Sequence, residues 1–163
     1  MKTISYHTVQ DKATWGDGPW VQEPDKIQWQ DRKTNLPCLV VRNRFGALCG
    51  YVGVSEDHST FGKDYGDLQF SVHGGLTFSG FCQSYGDEHS KGVCHISSEG
   101  ESDRIWWLGF DCAHGMDVCP AYKEHYSLPG HYRDLNYVKR EVRSLAKQLY
   151  SMKDKAKSCI NLK

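Results

Sequence analysis

The sequence has no surplus of charge of either sign: 20 Lys and Arg balance 20 Asp and Glu in 163 residues. A protein that coats nucleic acid usually carries a basic excess, so an extended nucleic-acid surface is disfavoured, while a local basic pocket is not. No apolar run approaches the roughly 20 residues of a membrane-spanning helix. The start, "MKTISYHTVQDK", lacks the apolar centre and small-residue cleavage site of a signal peptide. The expectation is a soluble, cytoplasmic protein with no membrane partner. No CxxC pair occurs among the seven cysteines (Cys38, Cys49, Cys82, Cys94, Cys112, Cys119 and Cys159), which argues against a zinc ribbon or finger. In a reducing compartment such thiols are more often core residues or metal ligands than bridges. Cys94-His95 and Cys112…His114 are a weak mixed-ligand signal. Internal repeats and low-complexity segments are also lacking.

Hydrophobic residues make up 39% and aromatics 12% of the chain, enough to fill one core. Residues 1–35 hold Gly16, Gly18, Pro19 and Pro24 among many polar residues, which predicts an irregular arm. Trp15, Trp20 and Trp29 would fold that arm onto the core. From residue 36 the pattern changes. "LPCLVVRNRFGALCGYVGV" predicts strands over 38–43 and 47–54, joined as a hairpin through Asn43 and Gly46. Further short strands are expected at 68–73, 76–82, "GVCHIS" and "RIWWLGFDC", separated by polar loops. Leu135, Val138, Val142, Leu145 and Leu149 recur at three- and four-residue steps, one stripe on a helix of roughly five turns. The expected fold is α+β: one domain over 36–152, a mostly antiparallel or mixed sheet packed on a long C-terminal helix. A frayed basic tail over 153–163 would follow.

Chemistry-bearing residues cluster at strand ends. "WWLGFDCAHGMD" (106–117) runs from a continuous apolar strand, as expected for one buried on both faces, into Asp111, His114 and Asp117. The D-x-x-H-x-x-D spacing could place oxygen and imidazole ligands on one divalent cation. Alternatively, Asp111 caps a turn and His114 binds a backbone carbonyl. "SVHGGLTFSG" sets His73 before Gly74, Gly75 and Thr77; paired glycines could present N–H groups to a phosphate or form a tight turn. "EDHSTFGKDYGD" carries His58, Lys63 and Tyr65, a lid or a solvated loop. "HYRDLNY" puts Arg133 near a helix start, where it could reach an anion or pair with a carboxylate.

The segments "GYVGV…H…FGKDY", "VHGGLTFSG", "WWLGFDCAHGMD" and "YRDLNYV" resemble a group of small, uncharacterised bacteriophage and bacterial proteins sharing HGGLT and GFDCAH motifs. The resemblance spans two thirds of the chain. It implies a phage or prophage setting and a cytoplasmic location, and it supplies no mechanism. The sequence departs from the group at "GVSEDHST", where a proline-bearing segment is more usual, so a rigid 54–60 loop is not implied.

Two functional readings follow, with a third beside them. In the first, the protein is a metal-dependent hydrolase of a phosphoester or nucleotide-like small molecule. His73, Asp111 and His114 hold Zn or Mn; Asp117, Lys63 and Arg133 are catalytic; Gly74, Gly75, Thr77 and Tyr65 bind substrate. In the second, the same groups form a non-catalytic module that sequesters a host nucleotide signal, with Trp106, Tyr65 or Phe78 stacking on the ligand. In the third, His73 or His114 is a metal-free general base. Cys112 is disfavoured as a nucleophile because it continues a buried strand. Self-association is open in all three.

Overall fold

A computed structural model describes residues 1–82, 92–125 and 130–160, with side chains described through residue 122 and again from 130 to 152. Six strands form one sheet in the order β1-β2-β3-β4-β6-β5: β1 Ile4–Tyr6, β2 Lys26–Gln30, β3 Pro37–Arg42, β4 Leu48–Val54, β5 Phe78–Gly80 and β6 Trp106–Asp111. Every ladder is antiparallel. One helix, α1, Leu135–Ile160, packs on the sheet. The α+β architecture is as the hydrophobic periodicity predicts. Among the described residues, no helix is long and apolar enough to cross a membrane.

The β3–β4 hairpin forms where expected. The Asn43 side-chain oxygen accepts from the Phe45 and Ala47 amides at 2.9 and 3.1 Å, closing the turn. On one face of the sheet, Val40, Leu48, Val52, Leu108 and Phe110 meet Val138, Val142, Leu145 and Leu149 of α1. These four helix residues are fully buried, which confirms the stripe. On the other face Leu39, Tyr51 and Trp107 are covered by Val93 and Ile105. Burial on both faces is why β4 and β6 read as unbroken hydrophobics. The two strands pair so closely because glycines leave room for rings: a Cβ on Gly50 would run into Phe110, and one on Gly109 into Tyr51.

Several expectations are corrected. The stretch 1–35 is not wholly irregular, since β1 and β2 lie within it and pair with each other and with β3. Lys26 and Gln28 obscured β2 in the sequence: both are buried, with Lys26 donating to the Gly92 carbonyl and Gln28 to those of Lys2 and Ile96. Trp15, Trp20 and Trp29 are buried, as expected of the arm. Residues 68–73 form no strand; Ser71 exchanges hydrogen bonds with Gln148 of α1 instead. Only 78–80 of the 76–82 segment is a strand, and "GVCHIS" contributes no strand. The helix continues through Ile160, into the segment expected to fray. Cys38, Cys49, Cys112 and Cys119 are buried and outside any disulfide, in line with the core thiols expected, but Cys82 and Cys94 are joined in a disulfide, the less expected state. Of the polar loop expected over 83–92, residues 83–91 lie outside the described residues.

Candidate metal centre

Three segments deliver the site. The first is the end of β6. There the Asp111 side chain accepts the Ala113 amide at 2.9 Å, turning the chain so that His114 follows the turn. A second turn, Asp117 N–H to the His114 carbonyl at 2.8 Å, brings Asp117 back beneath His114. Asp117 is locked there by a bridge to His131. The second segment is the 72–75 turn, closed by the Gly75 amide on the Val72 carbonyl at 3.0 Å. It is pinned to β6 by the Thr77 amide on the Gly109 carbonyl at 2.9 Å, and to α1 by the His73 amide on Glu141 at 2.9 Å. The third is the start of α1, where Asp134 accepts the Tyr137 amide at 2.7 Å as a helix cap. This fixes Arg133 before the cap and Tyr137 in the first turn.

Asp117 is the hub and is 2% exposed. Its Oδ2 receives His73 Nε2 at 2.7 Å and the His114 amide at 3.1 Å; its Oδ1 receives Arg133 Nε at 2.8 Å. Burial pushes the Asp117 carboxyl up, but the hydrogen bonds from Arg133 and His73 outweigh it and hold the group below its ordinary value. An ionised Asp117 makes His73 Nε2 the protonated nitrogen, so in the neutral ring Nδ1 accepts from the Tyr137 hydroxyl at 2.9 Å. Burial raises the Tyr137 phenol, which leaves it a hydrogen-bond donor rather than a ready nucleophile. The His73 and His114 rings meet edge to face, with centroids 5.3 Å apart.

His114 supplies the decisive detail. Its Nδ1 is buried and makes no hydrogen bond, although Asp117 Oδ2 is only 3.4 Å away. One ligand atom each from His73, His114 and Asp117 lies within 4.8 Å of the others. First-row divalent ions bind nitrogen and oxygen at about 2.0–2.2 Å, which separates neighbouring ligand atoms by roughly 3.0–3.5 Å. Binding there would require the proton on His73 Nε2 to leave, so that Nε2 faces the ion and the ring's Nδ1–H donates to the Tyr137 hydroxyl instead. On a bound ion, two imidazoles and one carboxylate would leave further coordination positions open.

The other expected residues fall in different places. Asp111 stands outside this trio, its carboxylate spent on its own turn, and Asp117 takes the oxygen-ligand position. A carboxyl held low is a weak proton acceptor, so Asp117 suits a ligand role better than that of a general base. Lys63 is not brought to the cluster: its carbonyl accepts from Trp106 Nε1, at the far end of β6. Gly75 and Tyr65 share a shallow groove of about 480 Å³ with Leu68, Phe70 and Leu76. Gly74 packs directly against the His114 ring. His58 is structural, with its two ring nitrogens engaged by Thr60 and the Leu149 carbonyl. Cys112 is buried and its thiol is pushed up by burial, in keeping with an inert side chain. Tyr137 and Glu141, which both hold the His73 turn, escaped the sequence reading. Their one signal is that they sit four residues apart on a polar flank of the helix.

No family model, curated protein or solved structure matches the chain. The site is therefore read from its own geometry.

Proposed function

We propose that His73, His114 and Asp117 bind a divalent cation, zinc or manganese, in a hydrolase of a phosphoester or nucleotide-like small molecule. The observation that carries this reading is the buried His114 Nδ1, without a hydrogen bond and 3.4 Å from Asp117 Oδ2, beside the His73–Asp117 pair. A bound cation would supply a hydroxide nucleophile near neutral pH by lowering the pKa of its water to about 7. The chain's own residues do the rest. Tyr137 sets the His73 ring, Arg133 holds the second oxygen of Asp117, and Glu141 fixes the turn that carries His73. The groove between Gly75 and Tyr65 offers the nearby space for substrate. The cytoplasmic phage setting implied by the resemblance belongs to this reading, and there the Cys82–Cys94 bridge would be kept reduced.

One observation favours a second reading, the non-catalytic binder. Asp117 already has partners on both oxygens, and the Arg133–Asp117 ion pair balances the charge with no cation present. Elemental analysis of untagged protein separates the two. About one equivalent of zinc or manganese per chain, lost in His114→Ala, together with turnover of a phosphodiester, supports the hydrolase. No metal after reconstitution favours the binder. Bound iron would overturn the hydrolase, because two histidines and a carboxylate also suit non-haem iron oxygenases.

A further inference from the structure

The two flanks of α1 differ. Tyr137, Glu141 and Gln148 face the 71–73 segment and serve the candidate metal centre. On the opposite flank Lys139, Arg143 and Lys147 succeed one another every four residues, one row along the helix. Arg143 and Lys147 line a cavity of about 460 Å³ whose other wall is Trp29 and the β2–β3 turn with Asp31, Arg32 and Lys33. Lys139 lies over the Trp29 ring, 5.6 Å from its centre.

Four cations thus converge on one cavity from two elements, in a chain whose total charge is zero. Among the described residues none of the four has a carboxylate within ion-pair distance. Asp31, the one acid in the wall, directs Oδ2 to the Lys33 and Thr34 amides and the Thr34 hydroxyl. The accumulated charge is felt locally: burial and then the neighbouring Arg143 hold the Lys139 amine below its ordinary value. Trp29, nine-tenths buried in the same wall, has an indole Nε1 donor with no hydrogen-bond partner. Unpaired cations lining one cavity are relieved by an anion rich in acceptor oxygens.

We propose that this cavity binds a compact oligophosphate, either inorganic or the phosphate tail of a nucleotide. The enclosed volume and the neutral remainder of the chain favour a small polyanion over a nucleic-acid backbone. The site is separate from the His73–His114–Asp117 centre and does not depend on it.

The test is titration of metal-free protein, in chelator and low salt, with inorganic triphosphate and in parallel with ATP. The readout is the indole N–H resonance of Trp29, assigned through Trp29→Phe. A saturable shift is expected, unchanged in His114→Ala and weakened at least tenfold in Arg143→Glu. Should that variant fold poorly, Lys147→Glu, also exposed, carries the same expectation. Equal affinity for the two probes identifies the phosphates as the recognised group, and tighter ATP binding identifies a nucleotide. Absence of a shift at millimolar triphosphate, or a shift that survives both charge reversals, would overturn the proposal. So would affinity for an oligonucleotide that exceeds triphosphate and grows with length, which would make the row of cations a nucleic-acid surface.

Discussion

Replacing Gly74 and Gly75 separately by alanine tests whether the position of the His114 ring matters. Both glycines have positive φ, +66° and +84°. Alanine in that region costs about 1–2 kcal/mol, part of which is offset by about 0.4–1 kcal/mol of lost freedom in the unfolded chain. Each variant should therefore lose about 1 kcal/mol, or roughly 2–4 °C in Tm for a chain of this size. The two differ in what the new methyl meets. At Gly75 nothing lies within 4 Å, whereas at Gly74 the methyl would occupy the space of the His114 ring. Since that side chain is 38% exposed, it can swing outward, and its Nδ1 then leaves His73 and Asp117. Zinc affinity, measured by competition with a chromophoric chelator, should fall at least tenfold in Gly74→Ala, given that even indirect disturbance of metal ligands costs 10–100-fold. Gly75→Ala should bind as the wild type does. Equal zinc affinity in two folded variants would refute the cation site as drawn, because the ring could then be displaced without consequence.

Three further predictions concern stability. Arg133→Gln removes a partner that holds the Asp117 carboxyl down. Stability from a depressed carboxyl is present above its unfolded pKa and lost as pH falls through the folded one, so the variant should be weaker by about 1–3 kcal/mol at pH 7. Urea midpoints of variant and wild type should converge below about pH 4. Burial lowers the Lys26 amine to about 8, so charging it opposes folding at neutral pH and the penalty fades as pH rises from 8 toward 10.5. Lys26→Met should gain up to about 3 kcal/mol at pH 7 relative to wild type, less whatever the Gly92 carbonyl loses, with the difference shrinking by pH 10. Reducing the Cys82–Cys94 bridge, which links residues 12 apart, should cost about 2–3 kcal/mol in a chemical melt and leave zinc affinity unchanged.

The legible parts of this chain are those whose cause is local. The α1 stripe, the Asn43 turn and the doubly buried β6 each carry a period or a turn residue that acts within a few positions. Residues 68–73 mislead because "LQFSVH" alternates like a strand, while its polar atoms find partners on a helix some 70 residues away in sequence. The candidate site divides the same way. D-x-x-H-x-x-D marks the right turn after β6, and the strand-end context of His73 points to the same cluster. Which carboxylate faces the histidines depends on the turn, where the Ala113 amide captures Asp111 and leaves the hub position to Asp117. Tyr137 and Glu141 were invisible, since only the packing of α1 against the 72–75 turn gives them a partner. The bridge between Cys82 and Cys94 likewise has no spacing signature.

The strand order has a consequence for the time course of folding. β2, β3 and β4 are neighbours in both sequence and sheet, and β3 and β4 are joined by the five residues 43–47. β4 must wait for β6 across the 51 residues from 55 to 105. Closing the longer loop costs about 2 kcal/mol more in chain entropy than closing the shorter one. The pairing that completes the sheet is thus a late, non-local event, of the kind that slows folding. His73 rides within that loop and His114 and Asp117 follow it, so none of the three can meet before β6 docks. Should the proposed cation site be real, uptake of a divalent ion by a refolding chain would serve as a clock for the last step of sheet assembly, lagging behind the burial of Trp29 in the early strands.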